Sequence, residues 1–505
     1  MVSLAVAMGI SLLLCLLLVP LARALAPRLG LVDRPDGHRK IHKKTTPVSG
    51  GLAVLSSTVA AVAALLFVPN ELQEKLAEHG IELLGLLVAG VAICVLGVAD
   101  DYGRLRGRHK LAGQFLVVII LLSFGGWVHS VQLFGWTVEL GWVGFPFTMF
   151  LMLGAVNSLN LIDGMDGLLG SVGVILSLAL AAMALLTGNL WAATVAVALA
   201  GALIGFLRYN LPPATIFLGD SGSMFVGLVL GTLAVRCSLK GPAFTMAIAI
   251  PVALLILPII DTAAAIIRRK LTGRSIYTTD RGHLHHCLLR CGYSTTGVLL
   301  IVAVLSSLTC AGVLASHAFD NEWIAVLTAG SIIAVLLATR LFGHAEAMLI
   351  KWRLLSLFSR AGNERHMEVR LQGSIEWKEL WQTLRVLAGE LNLQYVLLDV
   401  NAPALHEGYH ARWDNGQDWG GEESQLWHAE IPVTARGVSV GRLMMAGKPD
   451  ELPAWSKMAI VMKVIDEFTQ PNPILVAHET SRLRSVRSER TQAVGSDSNV
   501  FVETV

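Results

Sequence analysis

Charge is what this chain has least of. Asp, Glu, Lys and Arg make up 15 % of its 505 residues, against 54 % hydrophobic, and the mean hydropathy is +0.62. A chain so short of charge cannot clothe a large soluble surface, and the balance is that of a polytopic membrane protein. Cysteine is also scarce. The six, Cys15, Cys94, Cys237, Cys287, Cys291 and Cys310, sit mostly inside apolar runs, which argues against a disulfide framework. The N-terminus lacks a basic stretch ahead of its first apolar run; Arg23 and Arg28 follow it instead. That order reads as a membrane span with its N-terminus outside, rather than a cleaved signal peptide.

Apolar runs long enough to cross a bilayer lie near 3–25, 48–68, 82–98, 111–132, 141–160, 168–187, 190–207, 215–236, 243–267, 296–316 and 322–343. They predict an all-α polytopic bundle of about eleven transmembrane helices. Basic residues are sorted among the loops. Arg28, Arg34, Arg39, Lys40, Lys43 and Lys44 fall in 26–47, Arg104, Arg106, Arg108 and Lys110 in 99–110, and a third set from Arg268 to Arg290 in 268–295. The positive-inside rule places these loops, and with an odd span count the C-terminus, in the cytoplasm. Residues 1–345 are therefore the membrane domain and 346–364 a linker. Residues 365–470 form a small cytoplasmic α+β domain with strands at 367–371 and 395–400, a helix at 379–391, a hairpin over 429–445 and a closing helix at 459–468. Residues 478–505, polar and poor in aromatics, are expected to be a disordered tail.

Ionisable residues at the ends of membrane spans are costly and tend to be functional. Here they recur on one predicted side. Lys44 closes a basic stretch before Pro47-Val48-Ser49-Gly50-Gly51, where glycines let an anion approach the backbone. Asp100 and Asp101 end a span as adjacent carboxylates, a pairing suited to Mg²⁺ or to a general base. Asn160, Asp163 and Asp166 follow in Asn-Leu-Ile-Asp-Gly-Met-Asp-Gly, with Gly164 and Gly167 admitting phosphate oxygens. Asn210 precedes Asp220, which lies in Gly-Asp-Ser-Gly-Ser and suits a cation that takes few carboxylates plus phosphate and water. Asp261, deeper in the next run, reads as a supporting or helix-pairing group. Arg281, His283, His285 and His286, with Cys287 and Cys291, invite a zinc reading. The acidic, hard character of the other clusters favours phosphate binding instead. Acidic metal ligands and basic phosphate holders on one face describe phosphoryl transfer between a cytosolic nucleotide diphosphate and a lipid.

Four motifs carry a resemblance. Gly97-Val-Ala-Asp100-Asp101, Asn157 to Gly167, Phe217-Leu-Gly-Asp220-Ser-Gly-Ser223 and Arg281-Gly-His283-Leu-His285-His286 are similar, in order and spacing, to the signatures of the polyprenyl-phosphate N-acetylhexosamine-1-phosphate transferases, over roughly residues 1–345. The resemblance implies an enzyme of the inner (cytoplasmic) membrane that transfers sugar 1-phosphate from a UDP-N-acetylhexosamine to undecaprenyl or another polyprenyl phosphate, with Mg²⁺ or Mn²⁺ as cofactor and UMP as by-product. By the same resemblance Asp220 is the principal metal ligand, with Asp101 its metal-associated neighbour. Asp100 deprotonates or orients the lipid phosphate. Asn160, Asp163 and Asp166 lie around the nucleotide and pyrophosphate, and Asn210 on the nucleotide side. His283, His285 and His286 contact substrate phosphate, with His283 catalytic; Lys44, Arg104 and Arg281 complete the substrate-binding set. No nucleic-acid partner is implied, and a homodimer is left open.

Arg104 stands where the peptidoglycan-precursor branch usually has lysine, and Arg-Gly-His-Leu-His-His resembles the branch using UDP-N-acetylglucosamine. A glycan-initiating enzyme is therefore expected ahead of a phospho-N-acetylmuramoyl-pentapeptide transferase. A transporter is the alternative of another class, but transporter sites lie near the bilayer midplane on broken helices, whereas these carboxylates lie at span ends.

Overall fold

The computed structural model describes residues 1–33, 45–103, 105–240, 245–272, 282–358, 365–372, 377–402, 407–415, 426–435, 438–450 and 452–469. One compact unit ends at Ala347 and a second begins at Met348.

In a bilayer the backbone must satisfy its own hydrogen bonds, so long Leu, Val and Ala runs become helices. The first unit contains α1 (Val2–Leu29), α2 (Gly50–Phe67), α3 (Gln73–Glu78), α4 (Gly80–Asp101), α5 (Gly107–Gly125), α6 (Gly144–Ile162), α7 (Leu168–Leu186), α8 (Leu190–Asn210), α9 (Gly219–Cys237), α10 (Ala249–Leu254), α11 (Ile256–Leu271), α12 (Leu284–Arg290), α13 (Thr295–Ala318), α14 (Glu322–Ala338) and the start of α15 (His344–Phe358). Among the described residues, eight helices are long and apolar enough to cross a membrane: α1, α2, α4, α5, α6, α7, α8 and α13.

The other three predicted runs differ from straight apolar spans. The run at 215–236 is α9, which carries Asp220 in its first turn and Arg236 in its last. The run at 243–267 is broken at Leu255 into helices of 6 and 16 residues. Pro258, lacking an N–H, offers no donor to the Leu254 carbonyl, so one continuous helix is disfavoured there. The run at 322–343 gives α14, an apolar helix of 17 residues. The predicted linker 346–364 begins inside α15, whose Glu346 forms a buried ion pair with Arg268 of α11.

Small residues bring the central helices into backbone contact, the usual means of packing where water supplies no driving force. α9 is buried along nearly its whole length. A Cβ on Gly51 of α2 would fall inside the Gly222 backbone, and one on Gly97 of α4 inside the Ser221 backbone. The first turn of α9 is thus wedged between α2 and α4. The first two residues of α2 add hydrogen bonds, with Gly50 N donating to Phe217 O at 3.0 Å and Gly51 N to Leu218 O at 2.9 Å. Outward, α1 exposes Leu13, Leu17 and Leu21 and α4 exposes Val91 and Val95, an apolar surface suited to lipid. Gly51→Val should cost about 1–3 kcal/mol, the scale of overpacking a tight site. The check is thermal unfolding in detergent; a variant that melts with the wild type would refute the wedge.

The strands of the first unit lie at loop ends. β1 (Val32–Asp33) pairs with β2 (Thr46–Pro47), close to the start of α2. β3 (Ser130–Leu133), β4 (Trp136–Glu139), β5 (Leu239–Lys240) and β6 (Thr245–Ala247) form a four-stranded sheet, order β4-β3-β6-β5. It follows the C-terminal ends of α5 and α9, away from Asp220.

The second unit is a five-stranded antiparallel sheet of order β10-β11-β8-β9-β7, built from β7 (Arg365–Gln372), β8 (Leu393–Ala402), β9 (Glu407–Asp414), β10 (Trp427–Ala435) and β11 (Val438–Gly447). Period-two alternation puts Val396, Leu398 and Val400 of β8 with Tyr409, Ala411 and Trp413 of β9 in one core. There they meet Trp377 and Trp381 of α16 (Trp377–Glu390) and Val461 and Ile465 of α17 (Ala454–Thr469). Strand β9 is absent from the sequence-based expectation, although Tyr409, Ala411 and Trp413 mark it. The expected tail at 478–505 lies outside the described residues.

Candidate active site

The polar motifs converge because antiparallel helices place alternating termini at one end. The C-termini of α4, α6 and α8 meet there with the N-termini of α2, α5 and α9. Asp101, the last residue of α4, accepts the backbone N–H of Asp220 on Oδ1 at 2.8 Å and that of Ser221 on Oδ2 at 3.2 Å. It thereby caps α9, satisfying two of the otherwise unpaired N–H groups at a helix start. Gly219, at φ +76°, makes the turn into α9, and a Cβ there would lie 2.8 Å from Asp101 Oδ2. Only glycine meets both demands cheaply.

Asp220 projects from this capped turn. Its Oδ1 lies 3.2 Å from Lys110 Nζ and accepts from Asn160 Nδ2 at 2.6 Å. Lys110 also reaches Asp100 Oδ2 at 2.7 Å and Asn160 Oδ1 at 3.2 Å, and Asn160 Nδ2 donates to Ser223 Oγ at 2.7 Å. One ammonium is thus shared by carboxylates from α4 and α9, with an α6 amide completing the ring.

Asp163 caps the end of α6. Removal from water, and then the nearby Asp220, Asp101 and Asp166 carboxylates, hold it well above the usual carboxylate range. A divalent cation among these acids would reverse that repulsion. Asp166 Oδ2 accepts the Ala214 N–H at 2.9 Å. Asn210 Oδ1 accepts the Gly167 N–H at 3.0 Å, and its Nδ2 donates to Ile216 O at 2.9 Å. Asp166 and Asn210 therefore tie the 163–167 turn to the 211–216 loop.

The histidines approach from the other side. His283 Nδ1 lies 3.0 Å from Asp261 Oδ2. His285 packs against the acidic turn, since a Cβ on Gly164 would sit 2.7 Å from its Nε2. The His285 ring is buried, and neither nitrogen has a hydrogen-bond partner among the described residues. Burial, followed by the neighbouring His286, pushes it down to about 3, so the ring is neutral. The ring of His286 lies 4.2 Å from that of His285, centroid to centroid. Lys44, Arg104 and Arg281 lie outside the described residues.

Lys110 is the site residue that the sequence reading missed. It counts there as a loop charge, yet it occupies the first turn of α5. The signal was its spacing to Gln114, a fully buried residue one turn on that accepts from Asn157 Nδ2 at 2.8 Å. Two polar residues at i and i+4 on an otherwise apolar helix mark an inward polar stripe.

Among the described residues, no three His, Cys, Asp or Glu side chains converge as a ready-made metal site. Mg²⁺ does not require one, since it binds through one or two carboxylates plus phosphate and water. The Lys110 ammonium between Asp100 and Asp220 shows that this gap accepts positive charge, and the donors are hard oxygens. The residues therefore fit a divalent cation, with Asp220 the best-placed ligand. Asp101, assigned to metal by resemblance, here spends both oxygens on the α9 backbone.

These features define a class: a multi-pass membrane protein whose carboxylates, lysine and histidines gather at one end of an apolar helix bundle. The sequence profile described as glycosyl transferase family 4 matches residues 83–238. The chain is 34 % identical over 307 residues to the "Probable undecaprenyl-phosphate N-acetylglucosaminyl 1-phosphate transferase" of Bacillus subtilis, covering 60 % of this chain and 82 % of that relative. It is 33 % identical over 349 residues to the decaprenyl-phosphate N-acetylglucosaminephosphotransferase of Mycobacterium tuberculosis, covering 63 % and 83 %. It is also 33 % identical over 330 residues to the phospho-N-acetylmuramoyl-pentapeptide-transferase of Desulforudis audaxviator, covering 59 % and 94 %. The chain belongs to glycosyl transferase family 4, among the polyprenyl-phosphate sugar-1-phosphate transferases.

Proposed function

We propose that the protein transfers N-acetylglucosamine 1-phosphate from its UDP derivative to a polyprenyl phosphate, releasing UMP and initiating a lipid-linked envelope glycan. The observation that carries this reading is the Asp100–Lys110–Asp220–Asn160 ring at the end of the bundle, where a cytosolic pyrophosphate and a membrane-held phosphate can both arrive. We further propose that α9, the α10–α11 pair and α14 complete an eleven-span bundle, with the N-terminus outside and the site cytoplasmic.

In this reading Asp220, with Asp100 or Asp163, would hold Mg²⁺, which would offset the charge developing on the departing UMP. Asn160 and Lys110 fix the Asp220 carboxylate. Lys110 gives the phosphate oxygens a positive partner, and Asp100 orients the acceptor phosphate beside it. His285, neutral and packed against Gly164, backs the turn that a pyrophosphate oxygen would approach. Residues 365–469 are proposed as a cytoplasmic domain appended to this enzyme.

The test is UMP release by purified protein supplied with undecaprenyl phosphate, Mg²⁺ and UDP-N-acetylglucosamine, with and without EDTA. Release that EDTA abolishes is expected. Release only with a UDP-N-acetylmuramoyl-pentapeptide donor would move the protein to the other branch of the family, and no release with any donor would overturn the reading.

A further inference from the structure

Asp261 has no part in the reaction described above, yet it is one of the most buried charges in the molecule, 1 % exposed in the middle of α11. A buried carboxylate needs partners for both oxygens. Oδ1 accepts the backbone N–H of Leu284 at 2.7 Å, and Oδ2 lies 3.0 Å from His283 Nδ1. Opposite a carboxylate that carries no proton, Nδ1 would hold the ring hydrogen and Nε2 would keep the lone pair. The backbone around His283 is pinned as well. Arg268, two turns along the same helix, packs against Gly282. The His283 ring lies nearly parallel to that of His285, 6.1 Å away, and His285 borders the Asp163–Gly164 turn.

We propose that Asp261 is a positioning residue that fixes His283 as the Nδ1–H tautomer, so that Nε2 accepts a proton from a substrate phosphate monoester. The O–H bond of the phosphate breaks, an Nε2–H bond forms, and Asp261 offsets the imidazolium charge. The inference rests on the phosphoryl-transfer reading. The geometry makes one substitution decisive. In Asp261→Asn the only acceptor, Oδ1, stays with the Leu284 N–H. The amide NH₂ must then face Nδ1, which forces Nδ1 to accept and moves the ring hydrogen to Nε2. The cap on α12 survives while the tautomer inverts.

The experiment compares wild type, D261N and D261E as full-length protein in detergent. Turnover is read by UMP release, and the tautomer of His283 by ¹⁵N NMR of ¹⁵N-histidine-labelled protein, with H283Q assigning the signal. D261N is expected to lower kcat by on the order of 10²–10⁴-fold, the scale of losing a positioned general base, with KM for the UDP-sugar changed less than about threefold. D261E, which keeps the acceptor, should recover at least about a tenth of wild-type turnover. An Nε2–H signal for wild-type His283, or wild-type turnover in D261N, would overturn the proposal. Should D261N fail to fold, H283Q, which leaves Asp261 on Leu284, must show the same loss of turnover. If the wild type releases no UMP, the transferase reading fails by itself and the ¹⁵N signal alone decides the pair.

Discussion

An Asp220→Asn variant is expected to release UMP on the order of 10³-fold more slowly than the wild type while unfolding at the same temperature. The first half follows from charge. Asp220 is the carboxylate on which Lys110 and Asn160 both converge, at 3.2 and 2.6 Å, and it faces the acidic 163–166 turn. Replacing one oxygen by NH₂ removes the cation ligand proposed above and turns a fixed negative group into a neutral one. The loss of one preorganised electrostatic group of this kind is worth about 10²–10³ in rate, and the lost cation ligand adds to it. The second half follows from what Asp220 does not do. The cap on α9 is made by Asp101 to backbone N–H groups, and the wedge of α9 between α2 and α4 uses Gly51, Gly97 and Gly222. None of these needs the Asp220 side chain. Unchanged turnover in a folded variant would remove Asp220 from the site, and a large drop in melting temperature would reassign it to structure.

What could be read in the sequence was what repeats or what is improbable. Carboxylates abutting apolar runs are improbable in a membrane, so Asp100, Asp101, Asp163 and Asp220 stand out without any structure. Hydropathy finds the helices for the same reason, because length and apolarity together leave little choice. Partnership was hidden. Nothing local in Asp100-Asp101 says that the first residue meets a lysine and the second caps a helix 119 residues on. The break at Leu255 needed the proline to be weighed against the apolar run. Asn210 and Asp166 carry the polarity of ligands, yet their hydrogen bonds go to the backbone at Gly167, Ile216 and Ala214. A polar residue near a site is as able to hold the loop as to hold the substrate, and only distances separate the two.

Lys110 shows the same limit and yields the second large effect. Its ammonium lies within 3.2 Å of carboxylates from two helices, so Lys110→Met leaves Asp100 and Asp220 facing each other without their shared cation. Like charges held together in a poorly solvated place repel strongly. Two consequences separate. Without added cation the variant should unfold at a lower temperature than the wild type. It should also reach half-maximal activity at a lower Mg²⁺ concentration, because the divalent ion no longer competes with an internal one for the same oxygens. Maximal turnover is expected to stay down by on the order of 10²-fold, since Mg²⁺ restores the charge balance but not the donor proposed for the phosphate oxygens. The measurement is a Mg²⁺ titration of both melting temperature and UMP release in wild type and variant. Recovery of stability without turnover places Lys110 in the chemistry. Recovery of both would reduce it to a counter-charge, and lysine rather than arginine is the right choice for either role, because a compact ammonium fits between two carboxylates where a planar fork does not.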